Sequence, residues 1–479
     1  MKKKFSLFYG IIVCFAIYIL LSWFIPTASV ADSAVTAGST NPVGLFGIVY
    51  YGGLTIGTFI QFGLIILAIG GFYGVISKTG VYSKLVDEIT KKVAKKDKLF
   101  LCITAILFAI LNSILGVPFA IMVLVPLFME VIIKLGYKKI IAFTATIGAM
   151  LVGSLASTYG YNVAGSATAL LGISINSGIL FRFILLAISL LLFVLFILNG
   201  KVKEETKKAK KGTKKEEIIE EEQVLFFDEK EKSKKNTLPI KVLMGLTFLL
   251  AIVSMYNWNA IFKVDIFETF YEEISKITIG DYPILSNILD LTYPFGYWDS
   301  YELVTLMLIG SLLIGWVYSL KFKEILEGFI EGAKKFLKPA IYITLANIIF
   351  TVMLSASSGT MLTWITDKFA GMTKEFNLFA VSLSSIFGGF FYNHFYYLFK
   401  GLSDVFAITY TTDYSSIIIF ITQSVYGLLM MFLPTSLFLV AGLSMLDISY
   451  KEWLKYIWKY LIQILIIVLV LSVILVLMV

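Results

Sequence analysis

The sequence predicts an all-α polytopic membrane protein, with about nine transmembrane helices and two re-entrant hairpins arranged as two inverted repeats. Of its 479 residues, 58% are hydrophobic and only 15% are charged. A soluble domain has about 45–50% apolar and about 25% charged residues, so one soluble core cannot hold this chain. Because a spanning helix needs roughly 20 apolar residues, the length accommodates about ten membrane-embedded elements.

The net charge of +8 lies in short lysine blocks between the apolar runs. This distribution is typical of cytoplasmic loops that face anionic lipid, so the bilayer is the expected partner and nucleic acid is not. The sides of the membrane follow from these blocks, and they predict a cytoplasmic N-terminus. The blocks are Lys2–Lys4, Lys78–Lys98, Lys134–Lys139, Lys201–Lys241, Lys321–Lys338 and Lys451–Lys459.

The first half of the chain, residues 1–200, is predicted to be one repeat. Both ends of segment 99–135 lie next to lysines, so we interpret it as a re-entrant hairpin with a polar tip at 112–118. Two ordinary spans joined by a short outer turn are the alternative. Segment 140–182 is too long and too polar for one plain helix and is interpreted as a broken helix. The simple spans are predicted at 9–25, 58–77 and 183–199, with 26–57 as an outer segment.

Three segments are predicted to separate the two repeats. Residues 201–240 mix lysine and glutamate runs with few aromatic residues, which indicates a charged cytoplasmic linker. Residues 241–262 are predicted to be a connecting helix. Residues 263–299 are acidic and poor in lysine, which predicts an extracellular loop.

The second repeat is predicted at 300–479 with the opposite orientation. Lysines at both ends of segment 376–400 indicate a second hairpin, entering from outside, with its tip near 388–394. Segment 414–450 is interrupted at Pro434-Thr435-Ser436 and is interpreted as the second broken helix. The simple spans are predicted at 300–319, 336–356 and 453–479. Each segment is predicted to cross the membrane in the direction opposite to that of its counterpart in the first half.

Backbone without helical hydrogen bonds is tolerated at membrane depth where it is buried in protein or lines a wet cavity. Four such interruptions therefore predict a central polar site, where helix N-termini favour anions and free carbonyls bind cations. For any one hydroxyl, the alternative is a hydrogen bond back to its own helix or to a neighbouring helix. The candidate substrate- and ion-binding residues are Asn112, Ser113, Gly116, Ser154, Ser157, Thr158, Asn162, Gly388, Gly389, Asn393, His394, Thr435 and Ser436.

His394 is the only histidine and has two interpretations. It is a proton relay or ligand, or it belongs to an aromatic belt at the membrane surface, because its neighbours are mostly Phe and Tyr. The predicted spans place no Asp or Glu at the bilayer midplane, so sodium bound by carbonyls and hydroxyls is favoured over a carboxylate proton relay. The sequence has no Walker A motif, zinc set or carboxylate pair, so neither a resident metal or cofactor nor catalysis is expected.

Several motifs have the order and spacing of a known transporter family. They are the glycine-rich run Ile69–Gly80, the stretch Gly172–Arg182, and Pro434-Thr435-Ser436 followed by Ala441-Gly442-Leu443, Tyr450, Trp453 and Lys455. The chain resembles the YfcC-like branch of the anaerobic C4-dicarboxylate carrier (DcuC-like) family, in the ion transporter superfamily. The second hairpin departs from that family's proline-serine-glycine-rich tip, since it has Gly388-Gly389 and Asn393-His394 there.

The resemblance implies a homodimer of inverted repeats in a bacterial cytoplasmic membrane. It implies symport or exchange of a small carboxylate-bearing solute, a C4-dicarboxylate or an amino acid, by an elevator-type alternating-access mechanism, with Thr435 and Ser436 at the site. A basic amino acid exchanger, such as one for arginine and ornithine, is the nearest alternative. A membrane-embedded enzyme, a receptor scaffold and a channel are the alternatives of other classes.

Overall fold

A computed structural model describes residues 6–199, 226–227, 235–289, 292–355, 359–373 and 375–479. Within these ranges, eight helices are long and apolar enough to cross a membrane. The prediction of an all-α polytopic membrane protein is confirmed. The eight are Leu7–Phe24, Leu45–Lys78, Tyr82–Leu115, Ile179–Asn199, Leu238–Met255, Ser300–Val317, Leu337–Leu354 and Tyr450–Leu477. Two of them consist of two α-helices joined by a short turn, at 94–96 in Tyr82–Leu115 and at 346–347 in Leu337–Leu354. Most of the predicted linker 201–240 lies outside the described residues.

The first half contains ten α-helices, a strand pair and two π-helical turns among its described residues. The strands are β1 (Pro26–Ala31) and β2 (Ala34–Thr40), and the π-helical turns are Thr144–Gly148 and Tyr161–Gly165. The helices are α1 (Leu7–Phe24), α2 (Leu45–Lys78), α3 (Tyr82–Val93), α4 (Asp97–Leu115), α5 (Pro118–Met122), α6 (Val125–Lys134), α7 (Lys139–Phe143), α8 (Ala149–Leu155), α9 (Ser166–Leu170) and α10 (Ile179–Asn199).

All regular secondary-structure elements among the described residues of the second half are helices. The helices are α11 (Leu238–Met255), α12 (Trp258–Phe262), α13 (Ile266–Ser275), α14 (Ile284–Leu289), α15 (Ser300–Val317), α16 (Phe322–Lys335), α17 (Leu337–Leu345), α18 (Ile348–Leu354), α19 (Met361–Ala370), α20 (Leu378–Phe391), α21 (Phe395–Thr409), α22 (Ser415–Met430), α23 (Leu437–Met445) and α24 (Tyr450–Leu477).

The outer segment 26–57 has more structure than the sequence predicted. Strands β1 and β2 pair antiparallel around a two-residue turn, in which Asp32 and Ser33 have φ of 51° and 57°. Positive φ at both positions suits the twist of a tight hairpin. Helix α2 begins at Leu45, well before residue 58, because glycines lower helix propensity without ending a helix in apolar surroundings.

Between α4 and α5 the chain turns at 116–117, within the segment 112–118 that was predicted to be the tip of the first hairpin, α4 to α6. Helix α4 ends at Leu115 and is capped by Gly116, which adopts a left-handed φ of 64°, and Pro118 starts α5. The first broken helix runs from α7 to α9 and is non-helical at 156–160. The predicted end of this element at residue 182 was wrong, because α9 ends at Leu170 and α10 already begins at Ile179. A glycine turn at each end of 172–178 makes that separation.

The second hairpin, α20 and α21, turns at 392–394. Gly388 and Gly389 lie inside α20, so the prediction that they form the tip was wrong. The predicted end at Lys400 was also wrong, because α21 continues to Thr409. Lys400 faces Asp404 one turn later, with Nζ and Oδ2 3.5 Å apart, and an exposed lysine of this kind does not end a helix. The second broken helix, α22 and α23, is non-helical at 431–436.

Helices α2 and α16 cross with their backbones in close contact. A Cβ added at Gly74 would lie 2.2 Å from the carbonyl oxygen of Gly328, and one added at Gly332 would lie 2.1 Å from that of Gly70. No side chain fits at these positions. Small residues that let backbones approach are a common basis of helix association in membranes.

We expect Gly74→Ala to lower the thermal unfolding midpoint, because α2 and α16 must separate to admit the new methyl group. Gly245→Ala is the matched control, since a Cβ at Gly245 meets nothing within 4 Å. In the control, alanine gains up to about 1 kcal/mol of helix propensity, so its midpoint should stay or rise. Thermal unfolding of the purified proteins in detergent measures both. Equal midpoints for the two variants would contradict the close crossing.

Candidate substrate and ion site

One cavity lies between the two hairpins and the two broken helices. Its volume is about 490 Å³, within the range of roughly 300–1,000 Å³ that small-molecule sites occupy. The interruptions of both halves of the chain therefore meet at one place. The predicted site residues that line it are Asn112, Gly116, Ser154, Asn162, Asn393, His394 and Ser436.

The tip of the first hairpin satisfies the interrupted backbone of the first broken helix. The carbonyl oxygen of Ser113 accepts a hydrogen bond from the Thr158 amide at 2.9 Å. The Ser113 hydroxyl donates to the carbonyl of Ala156 at 2.6 Å. Ser113, Ser157 and Thr158 are fully buried and do not line the cavity. Their contacts hold the tip and the broken helix together.

Two asparagines form the cavity side of the same junction. Asn112 Nδ2 donates to the carbonyl of Met150 at 2.8 Å and to Ser154 Oγ at 2.7 Å. Asn162 Nδ2 donates to the carbonyl of Gly116 at 2.8 Å. Each bond joins the hairpin tip to one of the two helical segments that flank the break.

The second hairpin repeats this arrangement. Asn393 Nδ2 donates to the carbonyls of Ala346 and Thr435 at 3.0 and 3.1 Å. The Tyr426 hydroxyl donates to the carbonyl of Asn393 at 2.8 Å. Thr435 thus contributes its backbone carbonyl to the junction and does not line the cavity, whereas Ser436 does.

Three side-chain amide oxygens at these junctions have no hydrogen-bond partner among the described residues. They are Asn112 Oδ1, Asn393 Oδ1 and Gln423 Oε1, and all three are buried. In each residue the NH₂ group already donates to the protein. A buried carbonyl oxygen without a donor is costly, so these positions are suited to a cation or to a donor from a solute.

His394 lies in the cavity wall. Its Nε2 is 2.8 Å from Asn347 Oδ1, and its ring packs among Phe59, Phe62 and Phe350. This position is inside the protein rather than in a belt at the outer surface. Asn347 itself was missed by the sequence reasoning, because one asparagine in an apolar helix without a neighbouring Pro or Gly gives no sign of a break.

Gly388 and Gly389 do not line the cavity. A Cβ added at Gly389 would lie 2.4 Å from Leu429 Cδ1, so this glycine lets α20 pack closely on α22. The two residues act in helix packing.

Arg182 forms hydrogen bonds to the first broken helix without lining the cavity, and it was not among the predicted site residues. Its Nη1 donates to the carbonyl of Thr158 at 2.8 Å, and its Nη2 donates to the carbonyls of Ile175 and Ser177. The side chain is 1% exposed. The signal that could have identified it is the isolation of the only arginine within an apolar stretch.

The charge on the cavity wall is sparse. Among the described lining residues, Asp299 is the one carboxylate, and no Lys or Arg is present. Next to it, the Tyr297 hydroxyl donates to Glu268 Oε1 at 2.8 Å, and this hydrogen bond raises the pKa of Tyr297. Aromatic rings make up much of the remaining wall, and they include Phe62, Phe119, Tyr161, Trp298, Phe395, Tyr396, Tyr397 and Phe438.

Comparison with known proteins identifies the family. A model of the C4-dicarboxylate anaerobic carrier family matches residues 5–477. The chain belongs to this family. It is therefore a multi-pass membrane transporter rather than an enzyme, as the sequence predicted. No functionally curated protein is similar enough to count as a match.

Solved transporter structures align over almost the whole carrier. The Alcanivorax borkumensis YdaH transporter is 13% identical, with a TM-score of 0.39, over 98% of this chain and 96% of that chain. Neisseria gonorrhoeae MtrF, described as illuminating a class of antimetabolite efflux pumps, is 14% identical, with a TM-score of 0.33, over 97% and 93%.

We expect Gly116→Ala to weaken the first hairpin more than Gly136→Ala does. Both glycines have positive φ, so the strain of about 1–2 kcal/mol that alanine suffers there is common to both variants. Only at Gly116 would the new Cβ also lie 2.7 Å from backbone atoms of Gly160. Thermal unfolding and transport rate should fall further for Gly116→Ala. Equal losses would mean that the tip does not depend on contact with the broken helix.

Proposed function

We propose that this carrier is a secondary active transporter that moves a small carboxylate-bearing solute, a C4-dicarboxylate or an amino acid, across the bacterial cytoplasmic membrane by symport or exchange. The observation that carries the proposal is the shared cavity, which both hairpin tips and both broken helices line. Inverted repeats whose interrupted helices meet at one site are the basis of alternating access in many transporters. The re-entrant path of the hairpins and the homodimer implied by the family resemblance belong to the same proposal.

We propose an elevator-type movement of one group of helices against another. In the first group, Gln423 Nε2 donates to the carbonyl of Ser157 at 3.0 Å, and a Cβ added at Gly427 would lie 2.2 Å from Leu155 Cα. These contacts join the two broken helices, and the hairpin tips bind to the same pair. The second tip also reaches the other group, because Asn393 Nδ2 donates to the carbonyl of Ala346 at the end of α17. The second group consists of α2 and α15 to α17, which pack together through backbone contacts such as that between Gly74 and Gly328.

We propose sodium as the coupling ion. Sodium is a hard cation that prefers oxygen ligands, and the unpaired amide oxygens of Asn112 and Asn393 provide one at each hairpin tip. The two tips occupy corresponding places in the proposed repeats, so two ion sites are expected. The ion would offset the charge of an anionic solute in a cavity whose wall has no Lys or Arg among the described residues.

Exchange of basic amino acids, such as arginine and ornithine, is the second candidate. The observation that favours it is the combination of Asp299 with many aromatic rings in the cavity wall. Aromatic faces attract ammonium and guanidinium groups, by about 0.5–1 kcal/mol at exposed sites and more where water is excluded.

Counterflow in proteoliposomes tests the transport proposal. The panel is C4-dicarboxylates, neutral amino acids, arginine and ornithine, each with and without a sodium gradient. We expect saturable uptake of at least one of them, and we expect Ser436→Ala to reduce it far more than Glu272→Ala, since Ser436 lines the cavity and Glu272 is exposed in α13. A lack of saturable uptake for every solute would contradict the transport proposal. Equal effects of the two variants would contradict the assignment of the cavity as the solute site.

Sodium coupling is tested by replacing asparagine with serine at two hairpin-tip positions and at one control position. Asn112→Ser and Asn393→Ser shorten the side chains that have the unpaired oxygens, so we expect the sodium concentration for half-maximal uptake to rise about tenfold, the equivalent of about 1.4 kcal/mol. Asn377→Ser is the control, because Asn377 caps α20 outside the cavity and serine keeps the cap. Uptake that does not depend on sodium, or the same shift in the control, would contradict the assignment.

A further inference from the structure

The orientation of the Asn347 amide is fixed by its own helix. Asn347 lies between α17 and α18 and is fully buried. One end of its amide faces the carbonyls of Ile343 and Thr344, at 2.9 and 3.4 Å. A carbonyl oxygen only accepts hydrogen bonds, so the group facing it is the NH₂. The oxygen, Oδ1, therefore points to His394.

This orientation fixes the tautomer of His394. Asn347 Oδ1 is an acceptor 2.8 Å from His394 Nε2, so Nε2 must carry a hydrogen and donate it. A neutral imidazole has one N–H group, which leaves a lone pair on Nδ1. The asparagine thus determines which ring nitrogen accepts hydrogen bonds.

The side chains packed around His394 offer no hydrogen-bond donor to Nδ1, so a donor would have to come from the cavity. The rings of Phe59, Phe62 and Phe350 pack on the imidazole at centroid distances of 6.0, 5.4 and 4.6 Å, and they offer no N–H or O–H group. No described residue is seen to donate to Nδ1, and His394 lines the cavity.

We propose that His394 determines solute specificity by accepting a hydrogen bond, through Nδ1, from the ammonium group of an amino acid, and that Asn347 is the positioning residue that keeps Nδ1 available. The inference rests on the proposed transport function and deepens it, because it selects amino acids over C4-dicarboxylates in the same cavity.

The chemistry discriminates between the two solute classes. An ammonium group donates to Nδ1, whereas an ionised dicarboxylate has only acceptors and would face Nδ1 with a second lone pair. A site built around one hydrogen bond rejects an analogue that lacks the matching group, since its buried partner is left unpaired.

The test compares solutes that differ only in the α-ammonium group. Purified protein in proteoliposomes is assayed by competition with aspartate and succinate, with leucine and 4-methylvalerate, and with arginine and 5-guanidinovalerate. We expect the ammonium-bearing member of at least one pair to bind about tenfold tighter or more, the equivalent of about 1.4 kcal/mol. A ratio near one in every pair that is transported would overturn the inference and leave the transport proposal standing. If no solute is transported, the transport proposal fails and this inference fails with it.

Three variants separate the hydrogen bond from general damage to the fold. His394→Leu removes the acceptor, so the affinity ratio within a pair should fall towards one. His394→Asn keeps an oxygen near the position of Nδ1 and should retain part of the preference. Asn347→Leu leaves the imidazole present without its partner and should lower the ratio while folded protein, measured by thermal unfolding, is retained. A ratio that stays unchanged in His394→Leu would overturn the proposal.

Discussion

The structure depends on the hydrogen bonds between each hairpin tip and the interrupted helix beside it. An unpaired backbone group in a bilayer costs several kcal/mol, so a broken helix at membrane depth must find partners outside itself. The Ser113 carbonyl accepts from the Thr158 amide, and Asn393 Nδ2 donates to the Thr435 carbonyl. The tips and the breaks thus satisfy one another's backbone groups, and each pair packs as one unit.

That mutual dependence explains which parts of the site could be predicted from sequence. The interruptions at 112–118 and at Pro434-Thr435-Ser436 were visible because polar and helix-breaking residues stand in apolar surroundings. The sequence did not show which of these polar residues line the cavity and which only bond to one another. Ser113 and Thr158 turn their polar groups to each other rather than to the cavity, and that choice depends on contacts between segments distant in sequence.

The missed features share the same physical cause. Gly388 and Gly389 suggested a turn, but a glycine pair also suits close helix packing, and only the position of Leu429 across the contact distinguishes the two. Asn347 was missed because its importance comes from His394, which lies 47 residues further along the chain. Patterns within one segment predicted the helices well, whereas the roles of single side chains depend on partners that no local pattern contains.

The electrostatics of the cavity connect the site to the kind of solute it suits. The N-termini of α21 and α23 are at the wall, since Phe395 and Leu437 line it, and such helix ends favour carboxylates. His394 precedes α21 and accepts hydrogen bonds through Nδ1 in our proposal. An acceptor and a carboxylate-favouring helix end thus lie side by side, which matches the adjacent ammonium and carboxylate groups of an amino acid. A zwitterion supplies its own positive charge, so a wall whose described residues include no Lys or Arg is a smaller obstacle to it than to a dianion.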